Sequence, residues 1–374
     1  MPECTNPLWP CAMTGAAACL AGFEGISVVI HGSSGCYYYP ATLLHAPLHG
    51  TFILEHEIIF GSEERLLEVV GGLSGERKKI AVITTCVPAV LGEDIRSMLE
   101  KYDVIFVDSP GFSGDVEIGY RKAVAALPCR VDPDIPGVNL DGVCLFDPYA
   151  SGNVQELHRL LRQSSIPVAT VFCQDRFDRI AASAGYTVGT NDDFASGIGK
   201  YCGGTLGLEA IRATFGRLAD LFSDADISPV LTETDVQEER IIRVCDKYLQ
   251  RYDPPSVVIA AGYSYGLFAA RVLRQYLDAD IRCICSRNPP QESRFVSEHV
   301  TDMGRVNELI RSHDPDLVIG SSFERSLCPG RAFAMVTPPM RGEIRLSPRP
   351  LAGINGTLSF VDQVLNAVLD TRPD

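Results

Sequence analysis

The sequence predicts an α/β protein built from successive βα units on parallel sheets. Short β-branched apolar runs alternate with amphipathic stretches along the chain. The clearest of these runs stop abruptly at small-residue or polar turns, as strands of a parallel sheet do at its carboxyl edge. With 374 residues, the chain can form two or three such units, each with its own core.

Residues 12 to 30 carry almost no charge and read as a helix followed by a buried strand; Glu24 and the nearby glycines and prolines argue against a membrane span. The first unit, 1–130, then places strands near 26–30, 80–85 and 104–107. The helical stretches SEERLLEVVGGL and GEDIRSMLEKY separate them, with Gly61 and Ser62 capping the first. ALPCRVDPDIPGVNLDG, rich in Pro, Asp and Gly, reads as a linker. The second unit, 138–232, sets the apolar runs GVCLF and PVATVFC around the helix VQELHRLLRQ and continues into LGLEAIRATFGRLADLF. The third, 234–340, begins with VQEERIIRVCDKYLQRY and runs through the strands SVVIAAG, DIRCICS and PDLVIGSS. An amphipathic helix within 355–374 closes the chain and is expected to return onto the first unit.

A formal net charge of -14 argues against a nucleic-acid or anionic-membrane surface, because phosphate contact needs clustered Lys and Arg. Thirteen cysteines without framework spacing fit a reducing compartment with some metal-bound thiols better than a disulfide scaffold. No Lys or Arg precedes Arg65, so the basic region of a secretion signal is missing and a cytoplasmic location is expected. The same stretch, so poor in positive charge, suits burial at a subunit interface around a cofactor.

Three cysteines stand in settings able to present sulfur to one metal centre. Cys36 ends the run ISVVIHGSSGC, Cys86 ends the strand in KIAVITTCVPAVLGEDI, and Cys11 lies in the arm NPLWPCAMTGAA, which can fold over the same edge. Iron–sulfur clusters want rigidly held thiolates, so the trio reads as a cluster site; the competing reading is that cysteine is a common small buried hydrophobe. Cys4 and Cys19 are candidates for a fourth ligand, although no C-x-x-C spacing supports them. His31, with Gly32 and Gly35 of the following turn, is the candidate cofactor contact: the imidazole either donates to a cluster sulfur or satisfies a local carbonyl. Tyr37 to Tyr39 could shield a cluster from water.

Elsewhere the chain excludes more than it offers. It has no P-loop, no G-x-S-x-G elbow and no H-E-x-x-H motif. AAGYSYGLFAAR lacks the full dinucleotide pattern and reads as tight strand-to-helix packing. Cys144, Cys173, Cys245, Cys283 and Cys285 read as core, Cys202 as a turn thiol or ligand contact, and Cys328 as a cleft residue. Arg341, Arg345 and Arg349 either bind substrate carboxylates or line a solvated edge.

The pieces PCAMTGA, HGSSGC, EIIFGSEERL, TTCVPAVLGEDI, PGFSG, PDLVIGSSFER and the tail from MRGEIRLSPRP onward occur in an order that resembles the nitrogenase component 1 superfamily. That superfamily includes nitrogenase MoFe-protein subunits, cofactor scaffolds, dark-operative protochlorophyllide reductase and the nickel-sirohydrochlorin reductive cyclase. The resemblance implies three Rossmann-like units and a homodimer, or a heterodimer with a related subunit. It implies Cys11, Cys36 and Cys86 as ligands of an iron–sulfur cluster, either 4Fe–4S or P-cluster-like 8Fe–7S. It also implies an ATP-dependent iron protein as electron donor, with nucleotide chemistry on that partner. The chain is shorter than a nitrogenase subunit, and no cysteine and histidine pair matches the holders of the iron–molybdenum cofactor. The implied function is therefore the iron–sulfur subunit of a two-component reductase acting on an unsaturated substrate such as a tetrapyrrole; the alternative is a non-catalytic scaffold for metallocofactor assembly.

Overall fold

The computed structural model describes residues 8–75 and 78–371. The first unit contains, in order, α1 (Ala12–Leu20), β1 (Ile26–His31), α2 (Ser34–Leu44), β2 (Leu48–Gly50), α3 (Glu55–Phe60) and α4 (Glu63–Leu73). It continues with β3 (Lys79–Thr84), α5 (Cys86–Leu91), α6 (Ile95–Met98), β4 (Val104–Asp108) and α7 (Val116–Ala126). Its four strands are parallel in the order β2-β1-β3-β4. Strand periodicity explains why the sheet is covered on both faces. Val28, Ile30, Ala81 and Ile83 face the α1 side, whereas Val29, Ile80 and Val82 face Leu66 and Val70 of α4.

Every residue of α1 is buried. Its small side chains let it cross α7 with backbone in contact: a Cβ on Gly15 would collide with the Val116 carbonyl, and one on Gly119 with the Ala12 carbonyl. The uncharged composition of α1 therefore reflects burial inside its own chain.

The second unit holds β5 (Val131–Asp132), β6 (Val138–Asp141), α8 (Ala150–Gln163), β7 (Val168–Val171), β8 (Ser183–Ala184), β9 (Tyr186–Gly189), β10 (Lys200–Gly204) and α9 (Leu208–Leu221). Its main sheet is parallel in the order β10-β9-β6-β7, and β5 pairs with β8 beside it. The expected GVCLF strand is a correction. The strand is Val138–Asp141, inside the presumed linker, and GVCLF is the loop after it, turned out of the sheet by Gly142 at φ 78°.

The long helix α10 (Ser228–Leu249) leads into β11 (Ser256–Ala261), α11 (Tyr263–Tyr276), β12 (Asp280–Ser286), β13 (Ser297–His299), α12 (Met303–His313), β14 (Leu317–Gly320), α13 (Ser322–Leu327) and β15 (Ala332–Met335). These strands make a parallel sheet in the order β13-β12-β11-β14-β15.

The final helix, α14 (Gly353–Leu369), does not return to the first unit. Ile354, Phe360, Val361, Val364 and Leu365 enter the core shared by the second and third units. Asn153 of α8 accepts the Leu351 and Ala352 amides at 2.7 and 2.8 Å, and Glu156 accepts the Asn355 amide at 3.0 Å. An amphipathic pattern declares that a face is buried, but not against what.

Candidate metal centre

The carboxyl edge of the first sheet brings two of the three expected thiols, Cys11 and Cys86, to one glycine, and α2, which follows β1 at that edge, carries the third. Cys86 is the first residue of α5, directly after β3, and its sulfur accepts the Gly111 amide at 3.1 Å. Cys11 is the N-cap residue of α1, with its sulfur 3.8 Å from the Thr14 hydroxyl. Gly111 opens the 3-10 turn Gly111–Ser113 after β4. A Cβ there would stand 3.1 Å from the Cys86 sulfur and 3.2 Å from the Cys11 sulfur. Two thiols 75 residues apart thus face the same glycine.

Cys36 differs from its expected setting. It does not end a turn but is the third residue of α2, where Pro40, lacking an N–H, leaves the Cys36 carbonyl without its helical donor. One turn further along α2, desolvation of the hydroxyl and, second to it, the Cys11 thiol push the Tyr39 pKa up, although the ring as a whole is exposed. Each of the three sulfurs belongs to a helix's first turn or cap. Among the described cysteines only Cys11, Cys36, Cys86 and Cys129 are half-buried, and the others are buried. Accessibility separates the trio from the core thiols.

The surroundings fit a polynuclear group better than a lone ion. Among the described residues no three His, Cys, Asp or Glu side chains converge closely enough to hold one metal ion. A cluster attaches each thiolate to a different iron and so tolerates wider spacing. The hydroxyls of Thr84, Thr85 and Ser109, buried at the ends of β3 and β4 beside Cys86 and Gly111, have no hydrogen-bond partner. Orphaned donors at this edge leave hydrogen-bonding capacity for a group held there.

His31 is committed elsewhere. Its Nδ1 lies 3.2 Å from the Thr51 hydroxyl, and its Nε2 lies 3.1 Å from the Ser62 hydroxyl and 3.7 Å from Glu93. Burial, partly opposed by Glu93, pushes its pKa down to about 4, so the ring is neutral at pH 7. The geometry carries the local structural alternative, with hydroxyls in place of the expected carbonyl. Gly32 is needed because a Cβ would collide with the Thr85 side chain, whereas Gly35 faces open space. Cys19 lies fully buried against Cys173. Cys4 falls outside the described residues.

The arginine trio is also engaged within the chain. Arg345 stacks over Tyr149, with its guanidinium carbon 4.4 Å from the ring centroid, and bonds Glu343 at 2.9 Å; Arg349 approaches the same carboxylate at 3.6 Å; Arg341 lies over Phe323. Cys202 and Cys328 are buried. At the AAGYSYGLFAAR turn, the N-terminus of α11 is occupied by the chain itself: the Ser264 amide donates to Asp193 at 3.1 Å and the Tyr263 amide to Asn288 at 2.7 Å.

Two features carried no sequence signal. Gly111 was visible only as part of a turn, and its role emerges from two contacts distant in sequence. Glu117 is 1% exposed and accepts the Trp9 indole N–H at 2.9 Å, while burial and the nearby Asp193 push its pKa up to about 8. On the elements that carry the thiols, Tyr38 and Tyr39 of α2, Val90 of α5 and Phe112 of the Gly111 turn are exposed, as are Ile59 and Phe60 of α3. Among the described residues, no helix is long and apolar enough to cross a membrane.

Three α/β units on parallel sheets, with half-buried thiols on elements at the edge of the first, define the class of protein as three-unit α/β. The model of the family "Nitrogenase component 1 type Oxidoreductase" matches residues 11–188 and 200–369, and the chain belongs to that family. It is 20% identical to the nitrogenase molybdenum-iron protein beta chain of Methanococcus maripaludis, over 98% of this chain and 94% of that one. It is 22% identical to the nitrogenase iron-molybdenum cofactor biosynthesis protein NifE of Clostridium pasteurianum, over 85% of this chain and 79% of that one. Among solved structures, "Nitrogenase Cp1 at pH 6.5" superposes with a TM-score of 0.84 at 16% identity, covering 99% of this chain and 94% of that chain, a likeness of fold.

Proposed function

We propose that this chain is the iron–sulfur subunit of a two-component, ATP-driven reductase of the cytoplasm. In this reading it accepts electrons from a nitrogenase-reductase-like iron protein and passes them to an unsaturated substrate, with a tetrapyrrole as candidate. Cys11, Cys36 and Cys86 would hold the cluster, which supplies one-electron transfer at low potential. The chain's own contribution is to keep the thiolates rigid at helix starts and to donate the Gly111 amide to the Cys86 sulfur. The observation that carries the reading is the meeting of the Cys11 and Cys86 sulfurs at Gly111, beside the helix bearing Cys36.

The apolar surface around these thiols supports a dimer whose partner, a second copy or a related subunit, covers the centre. The similarity to NifE supports a second reading, a scaffold on which a metallocofactor is assembled and released.

Anaerobic purification followed by iron and sulfide analysis and electron paramagnetic resonance tests the cluster. The wild-type protein should carry iron and sulfide, and C36A much less; equally iron-free proteins would overturn both readings. Turnover of a tetrapyrrole with an iron protein and ATP supports the reductase. Transfer of an intact cofactor to an acceptor without turnover supports the scaffold.

A further inference from the structure

Four cysteines outside the candidate centre gather where the first and second units meet. Cys19, in the last turn of α1, and Cys173, in the loop after β7, are separated by 154 residues in sequence and bring their sulfurs to 3.4 Å. Both are sealed from solvent, at 0% and 1% exposure. The Tyr120 hydroxyl donates to the Val143 carbonyl at 3.0 Å, which leaves its oxygen, 3.1 Å from the Cys173 sulfur, free to accept the thiol hydrogen. Buried Cys144 and half-buried Cys129 complete the group, each close enough for its charge state to act on the Cys19–Cys173 pair.

The backbone is arranged to aim one of these sulfurs. Cys173 adopts φ 57°, a left-handed conformation uncommon outside glycine that concentrates at functional sites. The turn presses its carbonyl onto Gly22, where a Cβ would collide, and directs the side chain at Cys19. Core packing alone asks only for two small apolar side chains here; it does not require facing sulfurs or a strained backbone.

We propose that Cys19 and Cys173 form an oxidisable dithiol that closes to a disulfide under peroxide, tying the helix that begins at Cys11 to the second unit. Hydrogen peroxide first oxidises one thiol to the sulfenic acid, releasing a water. The other thiol then displaces the sulfenic hydroxyl, forming the S–S bond and releasing a second water. Two thiols lose two hydrogens and two electrons, and peroxide is reduced to water. The sulfurs must close from 3.4 Å to about 2.05 Å, a short movement compared with bridging cysteines on separated elements. Burial raises the Cys19 thiol well above its ordinary range, which protects the pair from brief exposure, while Cys129 offers the group's access to solvent. This proposal does not depend on the cluster reading, because Cys19, the sequence's candidate fourth ligand, lies buried against Cys173 and neither thiol is one of Cys11, Cys36 and Cys86.

The test uses the whole protein, purified reduced, treated with hydrogen peroxide, alkylated and digested without reductant for mass spectrometry. The expected result is a Cys19–Cys173 linked peptide pair, two hydrogens lighter than its parts and separated by dithiothreitol. C19S and C173S should each abolish it, and C245S should retain it. Recovery of Cys19 and Cys173 as alkylated free thiols at peroxide levels that oxidise Cys129, or a link to other partners, would overturn the proposal. Should a serine variant fail to fold, the wild-type peptide map decides alone.

Discussion

Glu117→Gln should stabilise this protein, and the gain should grow with pH. Glu117 is sealed between α7 and the Trp9 arm, and its carboxyl oxygens accept the indole N–H at 2.9 and 3.2 Å. Removal from water is the largest influence on its pKa, followed by the charge of Asp193, and together they move it from 4.5 to about 8. Because the folded value lies above the unfolded one, the folded chain keeps a proton that the unfolded chain releases between these values. Stability therefore falls as pH rises through that window, by about 1.4 kcal/mol per unit, and levels off above the folded value. At pH 7 the accumulated loss is about 3 kcal/mol. Glutamine keeps a carbonyl oxygen to accept the Trp9 N–H but carries no proton to lose. Since Trp9 is the only tryptophan, its emission reports the site directly during urea titrations at several pH values. The variant and wild type should nearly coincide at about pH 5 and diverge steadily to about pH 8. A difference that stays flat across that range, or a wild type that gains stability toward about pH 8, would refute the reasoning.

Two further outcomes follow from the candidate centre. Gly111→Val should place branched carbon against the Cys11 and Cys86 sulfurs, lowering iron per chain in anaerobic preparations with little change in the far-ultraviolet circular dichroism. Phe60→Glu, at a side chain 86% exposed in the apolar surface, should shift sedimentation from dimer toward monomer; an unchanged dimer would place the subunit contact elsewhere.

The sequence made the strands of the first unit legible because each is a compact β-branched run with a sharp stop: expected near 26–30, 80–85 and 104–107, they occupy Ile26–His31, Lys79–Thr84 and Val104–Asp108. The second unit was harder to place. The first strand of its main sheet, Val138–Asp141, alternates polar Asn139 and Asp141 with Val138 and Leu140, and every one of them is buried because Asn139 bonds the Ala184 backbone and Asp141 holds Ser196. A pattern of apolar residues cannot report polar groups satisfied from inside. The same limit hid the fate of His31, whose partners Thr51, Ser62 and Glu93 come from three separate segments. The convergence of Cys11 and Cys86 is a tertiary fact of the same kind: the sequence offered thiols at two chain reversals, and the glycine between them became visible only when α1 was laid across the edge of the sheet.

That helix links the molecule's two groups of thiols. α1 carries Cys11 at its cap and Cys19 in its last turn, about 12 Å apart at helical rise. Its body cannot slide independently, because Gly15 and Gly119 let backbone meet backbone and every side chain between the two cysteines is buried. In a close-packed interior, small displacements are transmitted rather than absorbed. A pull on Cys19 toward Cys173 therefore acts on the whole of α1, and at the other end Cys11 shares its contact at Gly111 with Cys86. Oxidation at the junction of the first two units is in this way mechanically joined to the edge where the candidate ligands meet, without any residue common to both groups.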